Sequence, residues 1–221
     1  MIFDCDGVLV DTELISNTVL AGLLTEAGLP TTLEHCMTAY RGRSIGSVLE
    51  IAEAQLGSEM PFDVAGRYYA AAAEIFAREL RPVPGVIAAL DRIELPSCVA
   101  SSGPHHKMAV TLRTTGLWER FEGRIFSSSE VARGKPAPDL FLHAASSMGV
   151  APARCVVVED SAAGVEAARA AGMRSLGYAG GLTPPSWLEG PGTVVFDDMA
   201  DLDRLLTSIA GPSGAGGGRS A

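Results

Sequence analysis

The feature that most constrains this chain is a change of texture at Pro84-Gly85. Before it, from Thr12 to about Arg81, apolar residues recur at helical spacing. Leu14, Ile15, Thr18, Val19, Gly22 and Leu23 mark a first helix that ends at Gly28-Leu29-Pro30. Ser44 caps a second run, Ile45 to Leu56, which stops at Gly57, and Pro61 opens an Ala-rich third that closes at Arg81-Pro82. After Pro84-Gly85, short Val/Ile/Leu strands alternate with helices. Residues 97–101, 124–127, 154–160, 174–178 and 193–196 read as strands, and 104–115, 139–148 and 162–171 as helices. That alternation predicts a parallel sheet covered on both faces. One further strand, Ile2-Phe3, precedes the helical block.

A helical block that interrupts a sheet after its first strand reads as an insertion. The expected fold is therefore α/β: a Rossmann-like parallel sheet core with helices on both faces, plus an inserted all-helical cap. Residues 1–11 and 83–210 form the core and 12–82 the cap. The Gly/Ser-rich stretch 211–221 is expected to be disordered. The cap would stand over the strands' C-terminal edge, where open α/β sheets bind ligands. Linkers near Asp11–Thr12 and Arg81–Pro84 would let it open and close.

The first strand leads into MIFDCDGVLVDTE. In a strand, residues i and i+2 face the same way, so Asp4 and Asp6 both point at the crevice. Two like charges about 5 Å apart repel by about 3 kcal/mol at an effective dielectric near 20. A proton, a cation or a bent backbone must compensate. Taken alone, the pair is equally a turn at Asp6-Gly7 with Asp4 ending the strand. A third strand, VVVED, ends in Glu159-Asp160 before another helix. Helix capping explains one acid there but explains four on one edge poorly. All-oxygen ligation without His or Cys points to Mg²⁺.

Positive features face the same edge. VASSG ends its strand in Ser101-Ser102 before a helix start, which offers hydroxyls and free N–H groups to an anion. ARGKPAPD holds Lys135 in a rigid loop. Alone, each reads more readily as an ordinary cap and a solvated lysine. Together with the acids they describe a phosphate site built around a metal ion.

Composition sets the limits. The chain has 221 residues, 47% hydrophobic, and a net charge of −9. The size suits one domain or two small ones. The acidity argues against nucleic acid, which needs a basic surface. No apolar run approaches the length that spans a bilayer, and no secretory signal opens the chain, so neither membrane nor export is expected. The four cysteines are scattered, which reads as reduced thiols in the cytoplasm. With no apolar surface stripe, a monomer is expected.

DCDGVLVDTE, VASSG, GKPAPD and VVVEDSAAGVEAARAAGM resemble, in order, the four motifs of the haloacid-dehalogenase-like (HAD) phosphatase superfamily. With the helical insertion after the first motif, the chain is similar to capped subfamily I, the branch of β-phosphoglucomutase and the sugar-phosphate phosphatases. The resemblance covers about Ile2 to Gly180. It implies that Asp4 is the nucleophile, forming an aspartyl-phosphate, and that Asp6 is the acid/base. Ser101, the Ser102 N–H and Lys135 would hold the phosphoryl oxygens. Mg²⁺ would be bound by Asp4, the Asp6 carbonyl and Asp160, with Glu159 supporting directly or through water. The second aspartate favours phosphoryl transfer over dehalogenation.

Within the branch, the resemblance leans to hydrolysis. Where β-phosphoglucomutase carries a cap histidine this chain has Ser16, and where it carries a cap arginine this chain has Ile45. A mutase must grip a second phosphate, and that grip is altered. SSGPHHKM is similar to a G-P-x-x-K-M run in phosphogluconate phosphatases, which places His105, His106 and Lys107 near the site. Arg41 and Arg43 join them as candidate specificity residues, with a solvated position as the plain alternative for each. The implied substrate is a small phosphorylated metabolite, a sugar or sugar-acid phosphate. The rival readings are a mutase, a phospho-receiver module, which would have no cap, and an inactive binding relative.

Overall fold

The structure is a computed structural model that describes residues 1–210; the expected disordered tail, 211–221, lies outside the described residues. The chain begins with β1 (Ile2–Phe3) and then runs through helices only: α1 (Glu13–Glu26), α2 (Leu33–His35) continuing as a π-turn at Cys36–Tyr40, α3 (Ile45–Leu56) and α4 (Val64–Glu79). Strands and helices then alternate: α5 (Val86–Arg92), β2 (Cys98–Ser101), α6 (His105–Thr114), α7 (Trp118–Phe121), β3 (Ile125–Ser127), α8 (Asp139–Ser147), β4 (Val156–Glu159), α9 (Ala162–Ala170), β5 (Arg174–Tyr178), β6 (Thr193–Phe196) and α10 (Leu202–Ala210). The expected α/β class holds.

The six strands form one parallel sheet in the order β3-β2-β1-β4-β5-β6. The chain winds outward from β1 in one direction, then returns to β4 and winds outward in the other. The topological switch lies between β1 and β4, where doubly wound sheets open their ligand crevice. Register fixes what meets there: Ile2 pairs with Val157 and Phe3 with Val158. Asp4 is the next residue, and its N–H donates to the Val158 carbonyl at 2.9 Å, beside Glu159.

Side chains alternate across the sheet, as a pleated strand requires. Phe3, Val99, Val158 and Leu176 join one buried cluster, with α5, α6 and α10 over it. Ile2, Cys98, Ala100 and Val157 join the other, under α8 and α9. The helical block has its own cluster around Leu20, Leu24, Tyr40, Val48 and Tyr68. The block is not fully separate, because Ala72 and Phe76 of α4, and Leu80 just after it, pack into the first sheet cluster.

Caps explain the helix ends. Ser44 accepts from the Ser47 N–H, and Gly57 takes the left-handed conformation that ends α3. The third helix begins at Val64, not at Pro61, because Asp63 accepts from the Gly66 N–H and supplies the cap. The VLV run 8–10 is buried but adds no strand to the sheet. The Gly7 N–H closes a turn on the Val10 carbonyl. The two linkers then pair, with Asp11 N–H to Arg81 carbonyl and Val83 N–H to Leu9 carbonyl, both at 3.0 Å.

Candidate active site

Asp4 and Glu159 meet across the switch point, and Lys135 sits between them. The Lys135 ammonium donates to Asp4 Oδ1 at 2.7 Å and to Glu159 Oε1 at 2.5 Å. The other Glu159 oxygen accepts from both the backbone N–H and the hydroxyl of Ser161, each at 2.8 Å. Lys135 also lies 5.0 Å from the Phe141 ring centre. Lys135 is 4% exposed and Glu159 fully buried. A charge so placed persists only if it is paired and hydrogen-bonded, and here each is.

The acids outnumber that lysine. Asp4, Glu159 and Asp160 bring carboxylate oxygens within 4.8 Å of one another. Burial pushes the Asp4 carboxyl up to about 7, even with Lys135 beside it. Asp160 is pushed well above its ordinary range by burial, then by Glu13 and Glu159. Burial opposes the charge on Lys135, but Asp4 and Glu159 more than offset it and hold the lysine protonated. Three buried acids with one ammonium and no soft donor suit a hard divalent cation. Glu159 already spends both oxygens on protein donors, so Asp4 and Asp160 are the side chains left to hold an ion directly. Gly7 makes room for Asp160: a Cβ there would fall 2.1 Å from Asp160 Oδ2, on a backbone with φ +76°.

Asp6 is held apart from this cluster. Its Oδ1 accepts from the Thr12 hydroxyl at 2.6 Å and its Oδ2 from the Lys107 ammonium at 2.8 Å. Burial pushes the Asp6 carboxyl up, but Lys107 and Thr12 outweigh it and leave the group below its ordinary value. At the end of β2, the Ser101 hydroxyl accepts from the Gly103 N–H at 3.1 Å, and both Ser101 and Ser102 line the cavity.

The helical block closes the site through its 40–44 loop. Ser102 donates to the Gly42 carbonyl at 2.8 Å. A Cβ at Gly42 would meet Ser161 Oγ at 2.3 Å, with φ at +75°. Arg41 reaches furthest in: its Nε lies 2.5 Å from Glu13 and 3.8 Å from Asp160, and its Nη1 donates to the Thr183 hydroxyl. That hydroxyl donates in turn to the Asp160 carbonyl at 2.6 Å. The free space between these residues is about 80 Å³. Pockets for small organic ligands run to roughly 300 Å³ or more, so the docked loop leaves only a narrow cleft.

The structure brings Asp4, Asp6, Ser101, Ser102, Lys135, Asp160, Lys107, Arg41 and Arg43 together, with Glu159 directly behind. Two of the expected specificity residues stay outside. His105 is half-exposed and faces Glu130 at 3.3 Å. His106 packs edge-on against Tyr69, with ring centres 4.9 Å apart. They immediately precede Lys107 in sequence, but the helical turn points them elsewhere. Sequence reasoning missed Thr12, Glu13 and Thr183. Thr12 and Glu13 stood inside the first quoted motif, whereas Thr183 lies in a loop after β5 with no local pattern.

Comparison with known proteins agrees with this geometry. Residues 1–172 match the family model described as haloacid dehalogenase-like hydrolase. The 6-phosphogluconate phosphatase of Escherichia coli is 33% identical over 77% of this chain and 78% of its own. Fructose-1-phosphate phosphatase YqaB of the same organism is 32% identical over 78% of this chain and 92% of its own. A haloacid dehalogenase-like protein from Agrobacterium tumefaciens superposes with a TM-score of 0.79 at 36% identity, covering 95% of this chain and 97% of that one. The doubly wound sheet, the insertion after β1, the family match and these relatives converge: this chain belongs to the haloacid dehalogenase-like hydrolase family.

Proposed function

We propose that the protein is a Mg²⁺-dependent phosphatase that hydrolyses a small sugar or sugar-acid phosphate through an aspartyl-phosphate. One observation carries the reading: Asp4, Lys135 and Asp160, from three distant parts of the sequence, meet at the β1/β4 switch point. Two relatives whose names state a sugar or sugar-acid phosphate substrate support the substrate class.

Phosphate monoesters hydrolyse very slowly without help, and the catalyst's task is in-line positioning and neutralisation of spreading charge. In this reading an Asp4 oxygen attacks phosphorus while Asp6 gives a proton to the leaving oxygen. The bonds to Lys107 and Thr12 hold Asp6 as a carboxylate in this structure, so it must take up that proton as substrate binds. Asp6 then takes a proton from the water that attacks the aspartyl-phosphate, and Asp4 is released. Lys135, Ser101 and the Ser102 N–H bind the non-bridging oxygens. Glu159 fixes the lysine. Thr12 and Lys107 keep Asp6 in place between the two half-reactions. Bound at Asp4, Asp160 and the Asp6 carbonyl, Mg²⁺ would supply positive charge to the phosphoryl group.

The helices of residues 12–82 act as the cap. The loop at Arg41–Arg43 must lift to admit substrate, since the narrow cleft is too small for one. A mutase is disfavoured because Arg41 is already paired with Glu13 and Ile45 is apolar, which leaves little to grip a second phosphate. The protein is read as a cytoplasmic monomer; among the described residues no helix is long and apolar enough to cross a membrane. The deciding experiment is kcat/KM across a panel of sugar and sugar-acid phosphates with Mg²⁺. Turnover of none of them, and of no aryl phosphate, would end the reading.

A further inference from the structure

Thr183 is buried yet takes part in no step of the proposed chemistry. It is 3% exposed, does not line the cavity, and lies in the loop that follows β5. Its hydroxyl joins two parts of the site. It accepts from Arg41 Nη1 and donates to the Asp160 carbonyl at 2.6 Å. A hydroxyl has one proton to give. With Arg41 donating to the oxygen, that proton is left for Asp160. The three groups therefore form a directed chain from the 40–44 loop to the end of β4, and each bond in such a chain polarises the next.

Asp160 is the single residue between the end of β4 at Glu159 and the Ser161 cap of α9. The peptide group that follows it is gripped at both ends. Its carbonyl accepts from Thr183, and its N–H, that of Ser161, donates to Glu159 Oε2 at 2.8 Å. The two bonds hold the backbone from which the Asp160 carboxylate is aimed. Glu159 grips its end from within the sheet, whereas the Thr183 end is completed by Arg41, which arrives with the loop. Arg41 Nε lies 3.8 Å from an Asp160 oxygen, but Glu13 at 2.5 Å compensates its charge. Docking thus brings orientation to Asp160 without setting a free cation against an ion. Mg²⁺ demands near-ideal octahedral geometry and tolerates little error in aim.

We propose that Thr183 is a positioning residue that carries docking of the 40–44 loop to Asp160, so that closure of the helical block and Mg²⁺ binding reinforce each other. This rests on the reading of Asp160 as a Mg²⁺ ligand and extends it. By linkage the coupling runs both ways, and a bound ion holds the loop down.

The test is titration calorimetry of Mg²⁺ alone into the full chain, with no substrate present. Thr183→Val removes the hydroxyl at nearly constant shape and should weaken Mg²⁺ binding about tenfold. Thr183→Ser keeps the hydroxyl and should keep most of the affinity. Arg41→Lys leaves a charge beside Glu13 but gives up the fork that reaches Thr183. It should weaken Mg²⁺ about fivefold, although it alters neither Thr183 nor Asp160. The double variant should bind no more weakly than Thr183→Val, because one chain is broken only once. If either Thr183→Val or Arg41→Lys leaves the affinity at the wild-type value, or if their losses multiply, Thr183 relays nothing and the Mg²⁺ reading stands. If wild type binds no Mg²⁺, both are wrong.

Discussion

Two glycine-to-alanine changes in helices should move stability in opposite directions. Gly22 lies inside α1, exposed, with nothing within 4 Å of where a Cβ would stand. Gly164 lies in the first turn of α9, where a Cβ would fall 1.8 Å from Glu159 Cδ and 1.9 and 2.3 Å from its oxygens. Propensity alone favours alanine at both sites by about 1 kcal/mol. At Gly22 nothing opposes it. At Gly164 the carboxylate must leave, and it carries the bonds to Lys135 at 2.5 Å and to Ser161 at 2.8 Å.

Breaking a buried ion pair costs about 3–5 kcal/mol, so the net effect at Gly164 is a loss of roughly 2–4 kcal/mol once the propensity gain is subtracted. For a chain of this size each kcal/mol is about 2–4 °C in Tm. Gly22→Ala should therefore raise Tm by about 2–4 °C, and Gly164→Ala should lower it by roughly 5–15 °C. Thermal unfolding followed by circular dichroism reads both. Turnover of an aryl phosphate adds a second readout: Gly164→Ala releases Lys135 and should cost more than tenfold, while Gly22→Ala should cost nothing. If Gly164→Ala stabilises the protein as much as Gly22→Ala does, Glu159 is not packed where it is described and its role in holding Lys135 falls.

The remaining predictions address the site itself. Asp4→Asn should abolish aryl phosphate turnover by at least about a thousandfold, with an unchanged circular dichroism spectrum; undiminished turnover refutes the nucleophile. EDTA should stop turnover and Mg²⁺ restore it, and chelator-resistant activity would count against the ion. Without metal, stability should depend on pH through Asp4, whose folded value of about 7 lies above its unfolded one. The folded state then binds the extra proton, so stability falls as pH rises from about 4 to about 7 and levels off above. Mg²⁺ should therefore raise Tm more at pH 7.5 than at pH 5.5, and equal shifts would contradict the burial argument. Gly42→Ala, blocked by Ser161 at 2.3 Å, should keep the 40–44 loop from docking and raise KM with little change in Tm; an unchanged KM would show that loop docking is not needed for binding.

The fold was legible because the switch from helical spacing to strand–helix alternation is a global pattern that single residues do not disturb. It placed β1, the helical insertion and the later strands, and with them the edge where the acids gather. The misses are local. Helices α5, α7 and α10 are short or lie next to turn residues, where periodicity has too few repeats to register. The VLV run 8–10 is as apolar as a strand because it is buried, yet only Val10 makes bridges, to Asp6 and Pro82. The acids and Lys135 were legible as motifs, but their partners were not. Arg41 was read only as a specificity candidate, and its bonds to Glu13 and Thr183 join residues far apart in sequence.

Those unread partners resolve the puzzle of an acidic protein, net −9, suited to an anionic substrate. The site does not rely on a positive field. Each buried cation is bound to a specific acid: Lys135 to Asp4 and Glu159, Lys107 to Asp6, and Arg41 to Glu13. These pairs are short and shielded from solvent, so salt screens them far less than it screens surface charge. What they leave over are the carboxyls of Asp4 and Asp160, which burial pushes up and whose negative charge is uncompensated once they ionise. A phosphate approaching that residue of charge is repelled unless a dication arrives with it or before it. Metal and substrate should therefore bind with positive coupling, so that inorganic phosphate binds weakly without Mg²⁺ and more tightly with it. Titration calorimetry with and without Mg²⁺ measures that coupling, and phosphate affinity that ignores the metal would mean that the acids are neutralised by some other means.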